Sequence, residues 1–134
     1  MIKPVNIQVR FSDLDIMGHV NNSVYLTYFE LARVEYFQQL LGEKWDWNTY
    51  GMLLKKNEIV YHKSVLLHDT PEITIFTTQI GTKSFTFEYE LKVRGEIYTT
   101  GSSLMICFDA TKNETIEIPA KLKESLILLK RNDI

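Results

Sequence analysis

The sequence predicts an α+β domain in which an antiparallel sheet covers one long helix. Two observations predict it: a long apolar stretch at helical spacing between Ser23 and Leu41, and a later series of segments in which apolar and polar residues alternate. A chain of 134 residues has room for one ordinary domain, expected to span 1–134. With 45% hydrophobic and 24% charged residues it has the composition of a globular protein rather than a disordered one.

The elements follow in order. Val5, Ile7, Val9 and Phe11 alternate with Asn6, Gln8 and Arg10, which predicts a half-buried first strand over Val5 to Phe11. Continued extension would put Asp13 and Asp15 on the same buried side, where carboxylates need strong hydrogen bonds or a raised pKa. From Ser23 to Leu41, Tyr25, Tyr28, Phe29, Ala32 and Tyr36 recur at helical spacing, and Leu26, Leu31, Val34, Phe37, Leu40 and Leu41 widen the stripe. A mostly buried helix is expected, capped by Asn21, Asn22 or Ser23 and ended by Gly42, with Glu30 and Arg33 bridged on its polar strip. Trp45 and Trp47 are expected to pack in a loop. Strands are predicted at about Glu58 to Val65, Glu72 to Ile80, Ser84 to Val93 and Ile97 to Phe108, with a hairpin turn at Arg94-Gly95-Glu96. A turn at Lys112-Asn113-Glu114 and a short extended piece precede Pro119, which opens a helix to about Leu129 with Leu122, Leu126 and Leu129 inward.

Composition excludes several function classes. The 15 basic and 17 acidic residues are scattered and leave a net charge of -2, so no nucleic-acid partner is expected. The single cysteine, Cys107, forms no internal disulfide and no CxxC metal framework, which fits a reducing compartment. The N-terminal residues lack the apolar core of a signal peptide, and no stretch approaches the roughly 18–20 apolar residues of a membrane span. A cytoplasmic protein with no membrane partner is the expectation.

The densest group of unusual residues is Asp13-Leu14-Asp15-Ile16-Met17-Gly18-His19-Val20-Asn21-Asn22, between the first strand and the long helix. A helix N-terminus offers unpaired N–H groups that stabilise an oxyanion, and a nearby carboxylate serves as base or nucleophile. Asp and Asn beside Gly are equally the ordinary residues of turns and caps. An EF-hand loop starting at Asp13 fails, because Met17 and Val24 stand where oxygen ligands are needed. Gly81-Thr82-Lys83-Ser84 lacks the glycine spacing of a phosphate loop. No GxSxG elbow occurs, Ser102 and Ser103 have no evident base, and His62 and His68 lack metal spacing.

Phe11-Ser12-Asp13-Leu14-Asp15-Ile16-Met17-Gly18-His19-Val20-Asn21-Asn22-Ser23-Val24-Tyr25, followed by Tyr28-Phe29-Glu30 and Ala32-Arg33, resembles the signature of the hotdog-fold acyl-CoA thioesterases of the 4-hydroxybenzoyl-CoA thioesterase type. Lys83-Ser84-Phe85, the turn at Asp69 and the closing strand before Pro119 extend the resemblance over nearly the whole chain. It implies a hotdog fold, five or six antiparallel strands wrapped around one long helix. It implies hydrolysis of an acyl-CoA thioester to a free acid and coenzyme A, with no metal or redox cofactor.

The resemblance places the catalytic carboxylate, as base or nucleophile, on Asp15. It makes the Asn22 main-chain N–H the oxyanion donor and gives His19 a part in polarising the carbonyl or orienting the acid. Asp13 fixes the loop, Asn21 and Tyr25 stand at the substrate side, and Lys83 with Ser84 meets the nucleotide phosphates. Plain packing for Tyr25 and a solvated turn for Lys83 are the competing roles. Gly81 and Thr82 are neutral where relatives carry more basic residues, and Val65-Leu66-Leu67-His68-Asp69 lacks the usual Pro and Gly before its Asp. A homodimer or homotetramer with the acyl pocket between protomers is implied. The alternatives are an acyl-carrier-protein thioesterase and a non-catalytic module that binds acyl-CoA or acyl-carrier-protein conjugates.

Overall fold

The computed structural model describes residues 2–131. Along the chain come β1 (Val5–Asn6), a 3₁₀ turn (Phe11–Asp13), α1 (Val24–Leu41), β2 (Gly51–Tyr61), β3 (Glu72–Ile80), β4 (Ser84–Val93), β5 (Glu96–Asp109), β6 (Glu114–Thr115) and α2 (Ala120–Leu128). The strands form a six-stranded antiparallel sheet in the order β1-β3-β4-β5-β2, with β6 paired to the end of β5, and a helix packs against it. The α+β class expected from the hydrophobic patterning is the one observed. Among the described residues no helix is long and apolar enough to cross a membrane.

The chain divides into two compact units, one of Met1–Tyr36, Ile59–Ile75 and Tyr89–Gly101, the other of Phe37–Glu58, Phe76–Glu88 and Ser102–Ile134. In the first, Tyr25, Tyr28, Phe29, Ala32 and Tyr36 of α1 are buried together with Val65, Ile73, Ile75, Tyr89, Leu91 and Val93. Phe29 stacks on Tyr89 with ring centroids 4.3 Å apart, and the Tyr36 hydroxyl accepts the Ile75 N–H at 3.1 Å. In the second, Phe37 meets Trp47 edge-on at 5.6 Å and Phe87 at 5.7 Å, while Leu122 and Leu126 of α2 are buried. The Lys121 ammonium donates to the Leu41 carbonyl at 3.0 Å, placing a cation on the negative end of α1. Burial pushes the Cys107 thiol up to about 11, so it stays protonated.

β3 and β4 fall where the alternation places them. In β4 the side chains of Phe85, Phe87, Tyr89, Leu91 and Val93 are all buried while those between are half-buried. β5 starts one residue earlier and ends one later than expected. The turn before it holds Arg94 and Gly95 at φ 50° and 79°, the left-handed pair that a two-residue hairpin needs. Gly42, at φ 86°, follows α1 as expected. Pro119 stands at the N-cap of α2, and of its expected inward leucines Leu129 is half-buried.

Several expectations need correction. Only Val5 and Asn6 pair as a strand, with Ile73 and Glu72; burial alternates on through Ile7 and Val9 and then stops. The 3₁₀ turn interrupts the extended chain, Phe11 is 81% exposed, and the buried side does not continue to Asp13 and Asp15 by strand parity. Helix α1 is not mostly buried: Leu26, Leu31 and Val34 are exposed, the last at 58%, because they lie on the face turned away from the core. Arg33 leaves the polar strip. Its guanidinium is buried and donates to the Tyr89 hydroxyl at 2.9 Å, while the expected ion pair with Glu30 forms at 3.8 Å. The second strand runs over Gly51–Tyr61 rather than Glu58 to Val65. As an edge strand it exposes Leu53, Leu54, Val60 and Tyr61, so its residues carry no clean period. The His62 and Lys63 N–H groups both donate to the Tyr98 carbonyl, a bulge that ends the pairing.

Candidate active site

The segment from Arg10 to Tyr25 is organised by its own short polar groups. In the 3₁₀ turn the buried Asp13 carboxylate accepts the Arg10 N–H at 3.0 Å and its guanidinium at 3.3 Å, and the Tyr28 hydroxyl of α1 donates to it at 2.7 Å. The Asp13 carbonyl accepts the Asn21 N–H at 2.8 Å. One acid therefore joins the turn, the helix head and the helix face. Tyr28 supplies the donor that a charge taken out of water requires.

After Asp13 the chain doubles back as a tight hairpin, with a bridge between Leu14 and Val20. The Asp15 N–H donates to the His19 carbonyl at 2.7 Å, and the Gly18 N–H to the Asp15 carbonyl at 3.0 Å. Gly18 sits at φ 79°, a left-handed conformation that strains any side-chain-bearing residue. Oδ1 of Asp15 accepts the main-chain N–H of Met17 at 2.9 Å and of His19 at 3.1 Å. Oδ2 has no hydrogen-bond partner among the described residues. The half-buried carboxylate is thus anchored by one oxygen and offers the other. The hairpin docks through Val20, whose N–H donates to the Val65 carbonyl at 2.9 Å, and through a bridge between His19 and Leu66.

The chain then enters α1. Oδ1 of Asn21 accepts the N–H and the hydroxyl of Ser23, each at 3.0 Å, and the Val24 N–H donates to the Asn21 carbonyl at 2.9 Å. Asn21 is thus the turn residue, and the exposed Asn22 follows it with a main-chain N–H that has no acceptor among the described residues. The Asn22 carbonyl accepts the Tyr61 hydroxyl at 3.0 Å. Tyr25 is buried, its ring edge-on to Tyr61 at 5.0 Å, and its hydroxyl accepts the Val65 N–H at 3.3 Å. Burial pushes the Tyr25 phenol above its ordinary value, with Tyr61 and Asp15 adding to the rise.

The structure therefore brings Asp13, Asp15, His19, Asn21, Asn22 and Tyr25 together on one loop and helix head within the first unit. The His19 ring makes no hydrogen bond among the described residues. Lys83 and Ser84 belong to the second unit, where the Lys83 ammonium lies 3.5 Å from the Thr115 hydroxyl and the Ser84 carbonyl accepts the Gly81 N–H at 2.7 Å. Among the described residues no group of three or more His, Cys, Asp or Glu converges as a metal site. A groove of about 380 Å³ lies between Asn6–Val9 and Leu67–Thr70, and Asp15 does not line it. Sequence reasoning passed over Tyr28 and Tyr61 as polar groups. Tyr28 carried a usable signal, since a tyrosine on a buried helical stripe needs a partner for its hydroxyl.

Asp13 makes acid stability testable. Burial raises its pKa, but the Arg10 N–H, the Tyr28 hydroxyl and the Arg10 guanidinium outweigh it and hold the carboxyl below its ordinary 3.8. Asp69 is opposed by burial in the same way and held low by the Leu66 N–H and by Arg94, whose guanidinium lies 2.8 Å away. A folded-state pKa below the unfolded one contributes stability that is present above the unfolded value and lost as pH falls through the folded value. The melting temperature should therefore drop as pH falls below about 4, and Asp13→Asn should flatten that drop. An equally steep drop in the variant would count against this account of Asp13.

A six-stranded antiparallel sheet carrying one long helix is the hotdog layout, the class implied by the signature around Asp15. A family model described as the thioesterase-like superfamily matches residues 9–126, and the chain belongs to that superfamily. It is similar to the long-chain acyl-CoA thioesterase FadM of Escherichia coli (strain K12), 26% identical over 125 residues, which cover 90% of this chain and 93% of that protein. Among solved structures it is similar to a thioesterase from Thermus thermophilus in complex with coenzyme A and zinc. That match has 29% identity and a TM-score of 0.83 over 98% of this chain and 96% of the other. The PA5185 protein from Pseudomonas aeruginosa strain PAO1 has a TM-score of 0.88 at 24% identity, over 96% and 92% of the two chains, and shows the shared fold.

Proposed function

We propose that this protein hydrolyses acyl-CoA thioesters to a free acid and coenzyme A. The observation that carries the reading is the Asp15 carboxylate, anchored through Oδ1 by the Met17 and His19 N–H groups and open at Oδ2, beside a helix head whose Asn22 N–H is unpaired among the described residues. In this reading the new C–O bond forms from a water that gives Asp15 its proton, or from Asp15 itself, in which case a water then cleaves the resulting mixed anhydride to the free acid and restores the carboxylate. The C–S bond breaks, and the thiolate leaves and takes up a proton. The Asn22 N–H faces the oxygen on which negative charge develops. His19 acts on the carbonyl or on the acid, Asn21 and Tyr25 form the substrate side of the loop, and Asp13 holds it. Lys83 with Ser84 is proposed to meet the phosphates of the nucleotide. Support comes from the acyl-CoA thioesterase named among the relatives and the coenzyme A in the Thermus thermophilus structure. The location we propose is the cytoplasm.

The test is release of free thiol from a panel of short, medium, long and aromatic acyl-CoA esters, beside matched acyl-carrier-protein conjugates. Turnover on CoA esters is the expected result. Turnover confined to carrier-protein conjugates would reassign the substrate, and binding without turnover on either would make the protein a ligand module.

We also propose a homodimer, alone or doubled into a tetramer, joined through β2. This edge strand runs over 11 residues and exposes Leu53, Leu54, Val60 and Tyr61, the kind of edge that pairs with another chain unless covered. A second copy there would also shelter the acyl group. Light scattering should give at least twice the 15.7 kDa of one chain, and a monomer at all concentrations would reject the assembly.

A further inference from the structure

We infer that Tyr61 is a positioning residue that aims the Asn22 main chain at the reacting carbonyl. The inference rests on the hydrolysis reading above and adds to it a residue from the edge strand. Tyr61 is the last residue of β2 and lies 39 positions from Asn22, yet its hydroxyl donates to the Asn22 carbonyl at 3.0 Å. That carbonyl has no other hydrogen-bond donor among the described residues. Asn22 sits in the turn just before α1, where the regular helical ladder has not begun and does not hold it. Its neighbours are tied locally, through Asn21 to Ser23 and Val24. On the Asn22–Ser23 peptide the N–H is held by Asn21 Oδ1, and the carbonyl is held by the phenol of Tyr61.

The phenol is a stiff tether. Its ring stands edge-on to Tyr25 at 5.0 Å, and the hydroxyl of Tyr25 accepts the Val65 N–H. The Val65 carbonyl accepts the N–H of Val20, which closes the Asp15 hairpin. Tyr61, Tyr25 and Val65 therefore connect the two halves of the site: the carboxylate hairpin and the helix head. The Asn22 N–H belongs to the preceding peptide, whose carbonyl accepts the Val24 N–H, and fixing the next peptide through Tyr61 limits rotation about the Asn22 α-carbon between them. An oxyanion donor acts through its preset direction, so loosening the Asn22 main chain lowers the rate of the chemical step more than it weakens substrate binding.

Tyr61→Phe keeps the ring against Tyr25 and removes only the hydroxyl. In the full-length protein it should lower kcat about 5- to 50-fold and leave KM within about threefold, since the lost aim matters in the transition state. The melting temperature should move by no more than a few degrees. Tyr61→Leu, which also removes the ring, should lower kcat at least as far. Independently of turnover, the amide NMR signals of Asn22 and Ser23 should shift and exchange faster with solvent in Tyr61→Phe. Unchanged amide signals, or a kcat equal to wild type, would overturn the inference while leaving the hydrolysis reading intact. A wild type with no turnover on any thioester would overturn that reading and the catalytic role of Tyr61 with it, whatever the amides show.

Discussion

An Asp15→Asn protein is expected to fold as the wild type does and to hydrolyse acyl-CoA about 10²- to 10⁴-fold more slowly. The substitution is nearly isosteric. The amide oxygen of asparagine can still accept the Met17 and His19 N–H groups that Oδ1 accepts, so the hairpin and its Gly18 turn keep their shape. What changes is the other atom of the side chain. Oδ2, which has no partner among the described residues, becomes an NH₂ group that neither takes a proton nor attacks a carbonyl. Matched circular dichroism and melting curves, with thiol release measured side by side, check both halves of the expectation. Undiminished turnover in Asp15→Asn would remove this carboxylate from the chemistry.

The second large effect concerns stability. Phe29 is 1% exposed and lies flat on Tyr89, the ring planes 9° apart and the centroids 4.3 Å apart. Truncation to Ala removes a buried aromatic and leaves a cavity, at a cost of about 3–5 kcal/mol. The face-to-face stacking on Tyr89 places the cost toward the upper end of that range. A typical domain has about 5–15 kcal/mol in total, so Phe29→Ala should lower the melting temperature by about 10–20 °C or prevent folding at growth temperature. Tyr89 also holds the buried Arg33 guanidinium, so a shift of its ring would disturb that bond as well. Val34→Ala on the exposed face of the same helix is the control, expected to change stability by less than about 1 kcal/mol. Urea denaturation of both variants checks the contrast. Equal losses would mean that the outer face of α1 is as firmly packed as the inner one.

The acid turn shows how much of the site was legible and where legibility stopped. The cluster of Asp, Gly, His and Asn between a strand and a long helix marked the right stretch of chain, since these residue types serve turns and helix heads whatever the fold. Strand parity does not reach Asp13, which is buried because the 3₁₀ turn swings it under Tyr28. Tyr61 was not legible at all. Nothing within β2 announces that its last residue will reach a carbonyl 39 positions earlier.

By itself the sequence determined the elements whose period is enforced by one buried face: β3, β4, most of β5 and the core stripe of α1 from Tyr25 to Tyr36. It also determined the local turns at Gly18, Gly42 and Gly95, where positive φ favours glycine. Only the tertiary structure decided that β2 lies at an edge, that the first strand stops after Asn6, that Leu31 and Val34 face outward, and which distant hydroxyls hold Asp13 and Asn22. The physical reason is range. Side-chain periodicity records whether a neighbouring layer exists, whereas edge position, chain reversal and single hydrogen bonds depend on where other parts of the chain come to rest.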